Sequence, residues 1–94
     1  MRLRAIRGRK SLVFAWRPKA TARKYRFQIA RRPDFSNMVD STDTESNVYA
    51  PLLTQDEYLK GGRFLWRVAG IDDYRNVGKF TKTLVLRLPR RLRH

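Results

Sequence analysis

The sequence predicts an all-β domain, an antiparallel sandwich of two sheets and about seven strands. Apolar and polar residues alternate with period two in four separate runs, which is the pattern of half-buried strands. Many of the eleven aromatic residues fall in pairs two apart, as in Phe14 and Trp16, Tyr25 and Phe27, and Phe64 and Trp66, so each pair shares one strand face. Turn-forming residues sit between the runs. The 94-residue length suits one domain, read as residues 1–88 followed by a basic tail over 89–94.

Taken in chain order, Arg2 to Ile6 reads as a short, charged edge strand, and Gly8 as the corner after it. Ser11 to Arg17 puts Leu12, Phe14 and Trp16 on one face, and Pro18 ends the run. In Lys24 to Ala30, Tyr25, Phe27 and Ile29 point inward, and Lys24, Arg26 and Gln28 outward. Pro33-Asp34 marks a turn. Asn37 to Ser41 and Asn47 to Pro51 are candidate short edge strands, the second bringing Val48 or Tyr49 to the core, with a polar turn from Ser41 to Asn47 between them. Gln55 to Lys60 can form one helical turn before the Gly61-Gly62 corner. Arg63 to Ala69 directs Phe64, Trp66 and Val68 inward, a turn spans Asp72 to Gly78, and Thr83 to Leu88 directs Leu84, Leu86 and Leu88 inward.

Composition narrows the chemistry. There is no cysteine, which excludes disulfides, thiolate metal sites and thiol nucleophiles within these residues. The single histidine is His94, the last residue, where no packed neighbour is expected to fix its tautomer for acid–base work. Asp56-Glu57 and Asp72-Asp73 are neighbours in sequence and do not span a cleft as catalytic carboxylate pairs do. Asp72, Asp73 and Asn76 supply hard oxygen ligands, but their spacing matches no calcium loop and suits an ordinary turn. No enzymatic activity, cofactor or metal is therefore expected. No apolar run approaches the ~20 residues that a membrane-crossing helix needs, and the basic first ten residues lack the apolar stretch of a signal peptide.

Several phrases together resemble a known family. Tyr25-Arg26-Phe27-Gln28-Ile29-Ala30 with Pro33-Asp34-Phe35-Ser36 resembles the third strand and following corner of bacterial fibronectin type III-like modules. Gly61 to Val68 is similar to their penultimate strand, Ile71 to Phe80 to the turn into the last one, and Trp16-Arg17-Pro18 to the second strand. The resemblance implies an immunoglobulin-like sandwich in which the third, sixth and seventh strands are neighbours. It also implies a segment of an exported bacterial protein of the kind that carries FecR-like or LysM domains, placed in the periplasm or cell envelope. One departure concerns Phe64, which stands where such modules place a corner tyrosine, so the hydroxyl-to-backbone bond is missing and a looser corner is expected.

The remaining signal is charge. Twenty-two Lys and Arg against eight Asp and Glu give +14, and sixteen of the cations are arginine. Such a balance favours anionic partners. The strand order implied by the resemblance would put Lys24, Arg26, Arg63, Arg67 and Arg87 on one exposed sheet face, with Leu65 and Val85 as apolar contacts. The expected role is a non-catalytic interaction or spacer module. Its partners are a protein, an anionic glycan or lipid headgroup, or neighbouring domains of the same chain, without membrane insertion. The alternative is a basic nucleic-acid-associated domain, for which Tyr58, Tyr74 and Tyr49 are the aromatics that loops or weak edges can expose for stacking. Non-specific association with nucleic acid is expected in either case.

Overall fold

A computed structural model describes residues 3–7, 12–51 and 56–90. Seven strands form two antiparallel sheets. One has three strands in the order β1 (Leu3–Arg7), β2 (Leu12–Trp16), β5 (Val48–Tyr49). The other has four, in the order β4 (Asp40–Thr44), β3 (Lys24–Ala30), β6 (Gly62–Ile71), β7 (Leu84–Leu88). A short helix, α1 (Asp56–Lys60), precedes β6, with Asp56 and Glu57 in its first turn and Lys60 in its last, as the helix dipole favours.

The alternating runs face each other across one core. Phe14 of β2 lies 4.7 Å from both Phe27 of β3 and Trp66 of β6, ring centre to ring centre. Trp16 meets Tyr25 edge-on at 5.6 Å. Leu12, Phe14, Trp16, Tyr25, Phe27, Ile29, Phe64, Trp66 and Val68 are all buried there. Each such side chain contributes roughly 1.5–3 kcal/mol when fully buried, so these two sheets are held chiefly by their aromatic faces. Leu84, Leu86 and Leu88 point inward from β7 but stay half-buried, because β7 is the edge of its sheet.

The differences from the sequence-based expectation lie in the polar elements. The fourth strand covers Asp40–Thr44, not Asn37 to Ser41, so most of the stretch read as a turn is a strand. Its sequence carries no apolar alternation. What holds it is β3: Arg26 faces Asp43 and Gln28 faces Ser41 as register partners, and both pairs are hydrogen-bonded through their side chains. Tyr49 packs on Phe27 at 4.9 Å while Val48 faces outward. Tyr58, read as exposable, is buried against Phe64. The Gly8 corner, the Gln55 end of the helical turn and residues 91–94 of the tail lie outside the described residues.

Two corners position the rest. Gly61 adopts a φ of +67°, and a Cβ there would lie 2.6 Å from the Pro89 and Arg90 backbone, so the turn requires glycine. At the same corner the Arg31 guanidinium stacks 4.0 Å over the Phe64 ring. It donates to the carbonyls of Glu57, Gly61 and Arg63 and to the Glu57 carboxylate. The looser corner expected from Phe64 is thus a corner bonded to backbone by Arg31 instead of by a phenol.

Candidate interaction face

The outward face of the four-stranded sheet is built by alternation. With Tyr25, Phe27, Ile29, Phe64, Trp66 and Val68 pointing inward, the intervening residues of β3 and β6 must point outward. Lys24, Arg26, Arg63, Leu65, Arg67, Val85 and Arg87 therefore share one face. They do not form one exposed surface. From Arg63 to Ile71, the partner of Lys24, β6 runs about 26 Å at a strand's rise, and three different environments divide that length.

At one end, Arg26 donates to Asp43 from Nε at 2.8 Å and from Nη2 at 3.1 Å. These bonds push the Asp43 carboxyl below its usual range and raise Arg26. Beyond them a cleft brings Arg23, Lys24, Arg26 and Arg75 beside an equal number of carboxylates. Asp73 pairs with Arg23 at 2.7 Å. Asp72 is occupied by its own turn, accepting from the backbone amides of Tyr74 and Asn76, both at 2.9 Å. The Asn76 amide bond is the main reason its carboxyl sits below the usual range. This end neutralises itself.

The middle is covered. Phe35 folds back over the sheet and is buried with Ala30 and Leu65, so Leu65, expected as an exposed contact, is only 5% exposed. Phe35 reaches that place with a φ of +56°, an uncommon value for a bulky residue. The turn supports it: the Phe35 amide donates to the Arg32 carbonyl, and Asp34 accepts from the Ser36 amide and hydroxyl. The Arg67 guanidinium lies between two rings, 3.9 Å from Phe35 and 4.1 Å from Phe80. It also donates twice to Gln28 Oε1, and burial lowers its pKa. Arg67 is thus a packed structural cation.

The other end is open. Arg63 and Arg87 are cross-strand partners, both exposed, and Val85 beside them is 56% exposed. Cross-strand neighbours lie about 4.5–5.5 Å apart at Cβ, so the two guanidiniums can converge on one anionic group.

The packing roles of Phe35, Phe80, Gln28 and Arg31 escaped the sequence reading. A large apolar residue inside the polar turn Pro33-Asp34-Phe35-Ser36 was the available signal, since it must find cover somewhere. Among the described aromatic residues Tyr74 alone is exposed, at 85%, which leaves no row of stacking platforms. Among the described residues no three His, Cys, Asp or Glu side chains gather to hold a metal ion, and no helix is long and apolar enough to cross a membrane.

No protein-family model matches the chain, and no curated protein does. Among solved structures it is similar to pectate lyase PelI from Erwinia chrysanthemi, crystallised in complex with tetragalacturonic acid, with a TM-score of 0.60 and 9% identity. The match covers 88% of this chain but spans only 27% of that chain, so the likeness is one of fold, to a part of a larger protein.

Proposed function

We propose that this chain is a fibronectin type III-like, non-catalytic interaction or spacer module of a larger exported bacterial protein. It contacts a protein or an anionic envelope glycan through the open, basic end of its four-stranded sheet. The strand order supports the fold assignment. The fourth strand pairs with the third, whereas an immunoglobulin constant-type domain places it in the sheet of the first, second and fifth. The likeness to a part of a larger pectate lyase chain is compatible with a module in a longer chain.

One observation carries the binding role: Arg63 and Arg87 are exposed cross-strand partners beside exposed Val85. A planar guanidinium pair suits carboxylate or sulfate, and the apolar Val85 adds a small desolvated contact.

The test measures retention on an immobilised polyuronate across a salt series. Arg63→Glu is compared with Lys19→Glu, which makes the same charge change in the exposed β2–β3 loop. Loss of a charge-assisted contact predicts a roughly tenfold larger drop for Arg63→Glu. Equal drops would mark bulk electrostatics and remove this face. Salt-resistant, sequence-preferring binding to DNA would instead favour the nucleic-acid reading.

A further inference from the structure

The three-stranded sheet has an outward face of the opposite character. Its inward set is Leu3, Ala5, Leu12, Phe14, Trp16 and Tyr49, so Arg4, Ile6, Val13, Ala15 and Val48 point away from the core. Four of these five are apolar, where a solvated sheet face ordinarily carries polar residues. Ile6 partners Val13 across the strands and Ala15 partners Val48, which makes the apolar residues contiguous. Ile6 stays 50% exposed and Val48 45%, with Val13 half-buried and Ala15 buried between them. Among the described residues no aromatic side chain folds over them as Phe35 does on the other sheet. Among the described residues the charged groups at this patch are Arg4 and Arg17, both exposed, and the groove at its end contains no carboxylate.

We infer that this face is a docking surface for another protein whose contact patch is apolar at its centre and bears carboxylates at its edge. Charge selects that occupant. A second copy stacked on the same face would bring Arg4 and Arg17 against their own kind in a chain of net charge +14. An uncharged apolar partner would leave two guanidiniums without counter-charge at the rim. A partner with acidic edges meets both requirements, since interfaces place apolar contacts centrally and complementary charge at the rim. This surface is distinct from the basic end of the four-stranded sheet, and each can fail alone.

The test uses two synthetic peptides of equal charge, one alternating Asp and Leu and one alternating Asp and Ser, titrated into isotopically labelled protein. The Asp–Leu peptide is expected to move the amide resonances of Ile6, Val13, Ala15 and Val48, and the Asp–Ser peptide to leave them nearly still. Replacing the apolar pair together, Ile6→Ser with Val48→Ser, should weaken Asp–Leu binding about tenfold. Reversing the rim, Arg4→Glu with Arg17→Glu, should do the same without touching the apolar centre. Equal shifts with both peptides, shifts spread over all basic surfaces, or no shift at all would overturn the inference. So would concentration-dependent shifts of these amides without peptide, which would identify a second copy as the occupant.

Discussion

Leu65 and Ala30 face outward on the four-stranded sheet and lie beneath Phe35, whereas Ile6 and Val48 face outward on the three-stranded sheet and remain about half exposed. Both faces carry apolar residues, yet only one has its cover built into the chain. The covered face also carries side-chain bonds, from Arg67 to Gln28 and from Arg26 to Asp43. The difference teaches that an outward apolar residue has two fates in a small sandwich. It is either packed at home and contributes to stability, or left bare and contributes nothing until something else meets it.

That contrast has measurable consequences. The largest is expected for Phe35→Ala, which uncovers Leu65 and one side of Arg67 and should cost about 3–5 kcal/mol, as for a buried aromatic. In a domain of this size each kcal/mol lowers the melting temperature by about 4–8 °C. A melting temperature close to that of the parent would mean that the cover is ornamental and the two faces equivalent. Next comes Arg67→Met, which fills similar space between Phe35 and Phe80 but leaves the Gln28 carbonyl without its donor. A loss of about 1–2 kcal/mol by denaturant titration is expected.

A smaller effect follows pH. The Asp43 carboxyl is held below its usual range in the folded state by Arg26, so its contribution is present above the unfolded value near ~4 and disappears as pH falls through the folded value. Both side chains are substantially exposed, which keeps the contribution under about 1 kcal/mol. Asp43→Asn should therefore flatten a shallow acid limb of the stability curve, and an unchanged limb would show the pair to be idle. The outward positions of the three-stranded sheet hold no carboxylate, so acid has nothing to remove there. The smallest effect belongs to Ile6→Ser with Val48→Ser, each expected to change stability by no more than about 0.5 kcal/mol. A loss approaching that of Phe35→Ala would show that the bare face is packed after all.

Tyr58 adds an alkaline counterpart outside this comparison. Burial raises its pKa, so the stability tied to its proton is complete below the unfolded value of about 10 and declines above it. Tyr58→Phe should keep the packing and remove that decline, as read by unfolding at high pH.

Much of the fold was legible because the strands that build the core announce themselves. Lys24 to Ala30 is a strand over the expected residues, since Tyr25, Phe27 and Ile29 leave one register that buries them. The Asp40–Thr44 strand was displaced because nothing in its own sequence specifies it; pairing with Arg26 and Gln28 does. Phe35 was invisible as a cover because its reach depends on a left-handed backbone at one turn residue. The co-facial placement of Arg63 and Arg67 followed from alternation and that of Arg87 from the strand order the resemblance implied, but neither reveals that Phe35 and Phe80 pack on Arg67. The bare face was readable and overlooked. Leu12 to Trp16 is apolar at both parities, so one half of it had to face away from the core.

The last strand shows how little an edge specifies by itself. Leu84, Leu86 and Leu88 alternate with Val85 and Arg87, so a slip by one residue would exchange one largely apolar set for another partly apolar one. The choice is made upstream. Thr81 donates its amide to the Val68 carbonyl and accepts the Val68 amide on its hydroxyl, while Phe80 closes on Arg67. Before Leu84 begins, the chain has already been clamped to β6. Alternative alignments of the edge, including those that lead to pairing with a foreign strand, are thereby disfavoured by residues that lie outside it.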